Sequence, residues 1–406
     1  MSEAPARPNA FPKAEPDSLA AAVMLAFLAT AGLFYVNIMA AIVDGLVSGM
    51  GVSEQAAGDI GAANIYGAAL GALLAVPVVK RAPWRPVSVA ALVALIAIDL
   101  LSIPVSSAAV LLPLRLGHGL VGGFLVGVAF AVIARTKAPD RTFGMLLFVQ
   151  FGLGGLGVMF LPQLVPLYGT KALFLALAAF SLATLAMVPF LDRYPSDRVS
   201  RNRPSPEGGL QWTPLIQTYA AIFLFQAANM ALLAYIIRLG LGYGLERGYV
   251  STALGLATWV ALAGPLVVMV VGTRFGRFLP LAAGMALTLG GTSLFHFSAE
   301  PLFYLIANCG TGITWGMVIA YLLGMTAEFD AAGRTSAFGG FISKIGLASG
   351  PFFAGRLIGA GMDYPMLINI ALAGLAASAL AMALPALHLD RRAESAAPAA
   401  APAEVS

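Results

Sequence analysis

Twelve predominantly apolar runs, each 19 residues or longer, follow one another along most of the chain with short polar loops between them. A spanning helix needs about 20 such residues, and in hydrocarbon a helix satisfies every backbone N–H and C=O within its own segment. The runs cover residues 20–46, 56–79, 87–107, 109–134, 143–167, 171–190, 214–237, 249–272, 279–297, 301–326, 336–358 and 364–387. Only 10% of the 406 residues are charged, 59% are hydrophobic and mean hydropathy is +0.87, whereas soluble domains are about one quarter charged. A water-facing fold cannot hide that much apolar surface, but a bilayer can. Gly is frequent inside the runs, as close helix approach in membranes allows. The expected class is an all-α integral membrane protein with twelve transmembrane helices.

The longest internal polar segment divides the runs six and six. The expected domains are a cytoplasmic tail at 1–18, an N-terminal six-helix bundle at 19–191, a cytoplasmic linker at 192–213, a C-terminal six-helix bundle at 214–388 and a disordered cytoplasmic tail at 389–406. Residues 1–18 have no basic region leading into a short apolar stretch with a cleavage site, so a retained first helix is expected rather than a removable signal. Lys80, Arg81, Arg85, Arg135, Lys137, Arg141, Arg274, Arg277 and Arg334 fall on one side of the runs, with linker arginines 193, 198, 201 and 203 and tail residues Arg7, Lys13, Arg391 and Arg392. The opposite loops hold Lys171 and Arg247. Cationic loops resist translocation, which places both termini in the cytoplasm of a plasma membrane, here a bacterial inner membrane.

The single cysteine, Cys309, excludes a disulfide framework and a thiolate metal cluster within the chain. The net charge of +4 lies in loops between apolar runs rather than on a folded basic surface, so no nucleic-acid partner is expected. No cofactor or metal site is expected either.

Comparing the chain with itself at an offset of 193 residues superposes Gly49 on Gly242, Gly51 on Gly244, Gly71 on Gly264, Gly117 on Gly310, Gly119 on Gly312, Gly123 on Gly316 and Gly157 on Gly350. The same offset pairs Arg81 with Arg274, Arg141 with Arg334 and Thr142 with Thr335. Chance would give roughly two glycine matches, and the excess is what an internal structural repeat predicts.

Three stretches then resemble the major facilitator superfamily. The family's Asp-Arg-x-Gly-Arg loop pattern has a copy at Thr273, Arg274, Phe275, Gly276, Arg277 and a degraded one at Lys80, Arg81, Ala82, Pro83, Trp84, Arg85, neither with its Asp. Span 4 carries Arg115, Leu116, Gly117, His118, Gly119, similar to the family's Arg-x-x-Gln-Gly motif with His118 in the Gln place. Gly152 to Gly157 in span 5, and Gly346 to Gly350 followed by Pro351 in span 11, are like the glycine-rich motif of its drug antiporters. The resemblance implies two pseudo-symmetric six-helix bundles that alternate access to a central site, of a drug- or metabolite-antiporter-like branch. It also implies a charge relay at the cytoplasmic loops, for which Arg81, Arg274, Gly276 and Arg277 are the candidates.

A charge at bilayer depth costs about 2.5 to 3.5 kcal/mol on insertion scales, so it pairs or lines a wet cavity. Arg115 lies about 9 Å below the outer face at 1.5 Å per residue, with Asp44, Asp59 and Asp99 in the same outer half. Asp44 or Asp59 is expected to carry a proton and Arg115 to modulate it, because Arg stays charged while a buried Asp can be driven towards neutrality. His118 is either a further titrating group or a helix-packing residue. Asp99 is expected to pair structurally. In the second half no acidic residue falls inside a span, but Lys344 lies near mid-depth, where it binds an anionic substrate group or pairs with an Asp of the first half. Asn37, Tyr66, Gln150, Gln226, Asn229, Trp259, Asn308 and Trp315 complete the candidate substrate-binding set.

These features favour a monomeric secondary transporter of a small organic solute, coupled to protons, exporting by antiport or importing an organic acid by symport. A Walker A loop is missing, so ATP is not its direct energy source. A membrane enzyme would need a nucleophile and base or a metal cluster at depth, and three scattered histidines, His118, His296 and His388, do not supply one. A sensor or scaffold would bring a soluble domain that neither tail provides.

Overall fold

The computed structural model describes residues 12–16, 18–79, 81–192, 194, 211–329 and 334–396. Arg7, Lys80 and linker arginines 193, 198, 201 and 203 lie outside the described residues, as does the side chain of Arg334. The chain divides into two compact units, Met1–Arg201 and Asn202–Ser406. The first contains α1 (Leu19–Ala31), α2 (Phe34–Asn37), α3 (Met39–Met50), α4 (Glu54–Val78), α5 (Trp84–Ser102), α6 (Ala108–Ile133), α7 (Pro139–Tyr168) and α8 (Lys171–Met187). The second contains α9 (Trp212–Gly242), α10 (Arg247–Val260), α11 (Ala263–Val271), α12 (Phe278–Ser293), α13 (Pro301–Thr326), α14 (Arg334–Gly359) and α15 (Tyr364–Ala396).

Among the described residues, ten helical stretches are long and apolar enough to cross a membrane, and α1 and α3 are shorter apolar helices. With α14, which carries Lys344 at its middle, every expected span is helical. Leu380 is 77% and Met269 72% exposed, which a membrane protein tolerates because hydrocarbon, not water, meets such side chains.

Two expected spans are broken rather than continuous. The first becomes α1, α2 and α3 because its hydrogen bonding tightens at Gly32, where Leu33 N–H reaches back only to Thr30 O (2.8 Å). Gly32 presses on α6 so closely that an added Cβ would fall 2.2 Å from the Gly122 carbonyl oxygen. The eighth splits into α10 and α11 ahead of Pro265, which lacks an N–H and crowds the carbonyl four residues back, Ala261. At the other end, α15 continues to Ala396, so residues 389–396, expected as disordered tail, are helical.

The repeat has a physical basis in helix approach. A Cβ on Gly71 would fall 2.0 Å from the Leu120 carbonyl oxygen, and one on Gly264 2.2 Å from that of Ile313, two residues that are themselves 193 apart. Gly157 packs on Ile38 and Gly350 on Ala231, again 193 apart. Gly51 and Gly244 both take left-handed backbone (φ 70° and 90°), where a side chain is strained. Gly67 and Gly71 on α4, and Gly119 and Gly123 on α6, are small residues four apart, and each packs on the facing helix's backbone.

Candidate functional site

The close α4–α6 approach brings a buried polar cluster together in the first unit. On α6, Arg115 and His118 are one turn apart; on α5, Asp99 and Ser102 are too, so each pair shares a helix face. Arg115 Nη1 donates to Asp99 Oδ1 at 2.8 Å with both side chains fully buried. Its Nη2 donates to the Ile98 carbonyl (3.2 Å) and to the Ser102 hydroxyl. The guanidinium lies 4.9 Å from the Phe174 ring centroid and 6.0 Å from that of Tyr35, within cation–π range. His118 Nε2 stands 3.4 Å from the same Asp99 oxygen. Its Nδ1 is 2.9 Å from Asn64 Nδ2, which also donates to the Arg115 carbonyl at 3.1 Å. Among the described residues, buried Asp99 Oδ2 receives no hydrogen bond and buried Arg115 Nε–H donates none.

Arg115 therefore pairs with Asp99, and its guanidinium bonds do not go to Asp44 or Asp59. Asp44 is fully buried on α3 and Asp59 half-buried on α4. Asn64, Ser102 and Tyr35 are members of the cluster that sequence reasoning missed. Asn64 had a legible signal, an amide in the middle of an otherwise apolar run of small residues.

A second pair forms beside the break in the first span, where Gln150 Nε2 donates to Asn37 Oδ1 at 2.9 Å. Gly154, one turn further along α7, leaves room for Asn37, whose Cβ would lie 3.2 Å from a Cβ built there. Tyr66 is half-buried. An open groove of about 280 Å³ lined by Phe34, Leu153, Phe160 and Phe180 holds none of these polar groups.

In the second unit, Trp315 Nε1 donates to Gln226 Oε1 (2.7 Å) and Gln226 Nε2 to the Ser343 hydroxyl (2.7 Å), which ties α13, α9 and α14 together. Lys344 follows Ser343, is half-buried, and has no hydrogen bond or ion pair within its unit among the described residues. Asn229 and Asn308 bond to carbonyls of their own helices, Phe225 and Tyr304 (both 2.8 Å), and Trp259 is 37% exposed. The positions 193 residues beyond Asn64, Asp99, Arg115 and His118 hold Ala257, Thr292, Asn308 and Thr311, so the second unit keeps the packing without the charges.

Arg81 and Arg274 are exposed. Gly276 takes left-handed backbone (φ 71°), turning the chain so that Arg277 pairs with Glu328. The carboxylate of Asp390, from the end of α15, accepts from the backbone N–H of Arg277 (2.7 Å) and Phe278 (2.9 Å). The loop around Gly276 thus receives a carboxylate from Asp390, a residue that no local pattern pointed to.

The family model of the Major Facilitator Superfamily matches residues 19–351. The chain belongs to the Major Facilitator Superfamily. As a member it is a multi-pass membrane transporter. No curated protein matches it. Among solved structures it is similar to a point variant of the nucleoside transporter NupG, at 13% identity and TM-score 0.68 over 91% of this chain and 98% of that one. It is also similar to a bacterial homologue of the human lysosomal transporter Spinster in an inward-facing, unoccupied conformation, at 12% identity and TM-score 0.63 over 92% and 96%. At such identities these superfamily members share a fold with this chain, and neither passes on a substrate.

Proposed function

We propose that this superfamily member is a proton-coupled secondary transporter that exports a small organic solute by antiport, its two halves alternating access to a site near the midplane. The observation that carries the reading is the buried Asp99–Arg115–His118 group. With His118 neutral, Arg115 and Asp99 cancel. One more proton leaves a net positive charge at a depth where charge costs several kcal/mol. A group of this kind ties the cost of an added charge to whether a polar path reaches it. Asp44 and Asp59 are the alternative proton carriers on neighbouring helices. The Gln226–Trp315–Ser343 chain and the Asn37–Gln150 pair offer fixed donors and acceptors to a solute. The loop cations support cytoplasmic termini in a bacterial inner membrane.

A second reading is import of a small organic anion by symport. Lys344 favours it, because its ammonium meets no counter-ion in its unit among the described residues and an anionic group would supply one.

Purified protein in proteoliposomes under an imposed pH gradient tests both. Asp99→Asn or His118→Gln is expected to abolish gradient-driven accumulation while sparing solute exchange. Unchanged coupling in these and in Asp44→Asn and Asp59→Asn refutes proton coupling. Lys344→Ala is expected to remove discrimination between anionic and neutral solutes only if the anion reading holds.

A further inference from the structure

Asn64 sits where α4 and α6 are closest: a Cβ on Gly119 would fall 1.8 Å from the Asn64 carbonyl oxygen. Its side chain spends both amide hydrogens on α6. One goes to the Arg115 carbonyl at 3.1 Å and the other to His118 Nδ1, with nitrogens 2.9 Å apart. The first bond decides the orientation of the amide, since turning it over would set Oδ1 against another carbonyl oxygen. With Nδ2 facing it, Nδ1 must be the imidazole's acceptor, so the proton of neutral His118 belongs on Nε2, the nitrogen 3.4 Å from Asp99 Oδ1.

We infer that Asn64 is the positioning residue of this site: it holds His118 as the Nε2–H tautomer directed at Asp99, and His118 accepts a second proton only when the Asn64 amide turns over. The incoming proton bonds to the Nδ1 lone pair that Asn64 occupies, and Asn64 Oδ1 must then replace Nδ2 as its partner. That turn removes the bond to the Arg115 carbonyl and sets two oxygens against each other there. Protonation of one imidazole is thereby converted into a repulsion between α4 and α6, at the point where glycines leave the two backbones in contact.

Among the described residues, the charged or titratable groups recorded around the imidazole are Asp99 from α5, Tyr35 from α2 with its ring centroid 5.8 Å away, and, through the shared Asp99 Oδ1, Arg115 from α6 itself. On α4, Asp59 and Tyr66 lie five residues before Asn64 and two after it; α1 carries no charged residue, and α7 carries Asp140 and Arg141 in its first turn. Asp99 and Arg115 bring one charge of each sign to this cluster. The tautomer lock adds a requirement that neither charge supplies, namely a conformational step in an uncharged side chain.

The inference rests on the proton-coupling reading for its role, but its test needs no transport. The chain has three histidines, so a His296→Gln, His388→Gln background leaves His118 as the sole signal for nitrogen NMR of the ¹⁵N-histidine-labelled full chain in lipid nanodiscs. Unprotonated Nδ1 and protonated Nε2 are expected at neutral pH, with the Arg115 carbonyl ¹³C signal moving in step as His118 titrates. Asn64→Asp, which offers an acceptor to Nδ1, is expected to transfer the proton of the neutral imidazole to Nδ1, read as an exchange of the two nitrogen signals. A protonated Nδ1 in the unsubstituted site at neutral pH, or an Arg115 carbonyl signal that ignores the titration, overturns the inference even if Asn64→Asp does not fold. If the tautomer is as expected and Asp99→Asn retains coupling, the transport reading falls and the positioning role stands.

Discussion

Arg115 and Asp99 form an ion pair of 2.8 Å from which solvent is wholly excluded. Removing one partner strands the other's charge, which in buried pairs costs about 3–5 kcal/mol, whereas neutralising both costs far less. Arg115→Gln and Asp99→Asn are each expected to lower stability on that scale, and the double variant Arg115→Gln/Asp99→Asn to recover most of it. Thermal unfolding in detergent measures the cycle, and strict additivity of the single losses would show that the pair is not energetically coupled.

The helix contacts give a second expectation with an internal control. Gly71→Ala places a methyl group 2.0 Å from the Leu120 carbonyl oxygen and Gly119→Ala one 1.8 Å from that of Asn64, contacts that only backbone movement relieves. Gly117, two residues from Gly119, has nothing within 4 Å of its added Cβ. Overpacking of this kind costs about 1–3 kcal/mol or more, so Gly71→Ala and Gly119→Ala should cut the folded yield while Gly117→Ala leaves it unchanged. Size-exclusion profiles of the three variants decide it.

Those glycines also explain what was legible in the sequence. Span count and repeat offset follow from apolar length and backbone approach, both local properties that the residues carry on their face. Gly71 and Gly264 meet Leu120 and Ile313, and the offset relating the glycines relates the carbonyls too. The partner of Arg115 was not legible: Asp44, Asp59 and Asp99 sit at similar depths, and helix rotation, which no hydropathy count records, selects Asp99. Asn64 stood out as an amide in an apolar run, but its partners were hidden for the same reason, since they depend on α6 lying against it. The break at Gly32 depends likewise on Gly122 of another helix.

Gln226 is the shared member of the second unit's polar chain, and losing it affects two partners. Gln226→Ala removes both the bond from the Trp315 indole N–H and the bond to the Ser343 hydroxyl, each worth about 0.5–1.5 kcal/mol. Ser343→Ala removes one acceptor and costs about 1 kcal/mol by the same reasoning. If this chain supports the solute site, Gln226→Ala should raise the transport KM more than Ser343→Ala does. Equal and unchanged KM in both variants would assign the chain to helix packing alone.

Asp390 lies beyond the last expected span, yet its carboxylate accepts from the N–H groups of Arg277 and Phe278 at 2.7 and 2.9 Å, where α12 begins. The first turn of a helix has N–H groups with no intrahelical acceptor, and a carboxylate there meets both their hydrogen-bonding need and the helix dipole. Arg277 Nη1 approaches Asp390 to 3.9 Å while Nη2 pairs with Glu328, so one arginine joins the ends of α13 and α15. The left-handed turn at Gly276 aims those N–H groups, and a Cβ there would fall 2.7 Å from the Asp390 carboxylate. Asp390→Ala should therefore cost about 1 kcal/mol, the usual worth of such a cap, and accelerate amide exchange at Arg277 and Phe278 before any other part of α12. Asp390→Asn, which keeps an acceptor oxygen but loses the charge, should restore part of the protection. Hydrogen exchange read by mass spectrometry on peptides spanning residues 272–284 distinguishes these outcomes, and unaltered exchange in Asp390→Ala would leave the end of α15 without a role in holding the loop.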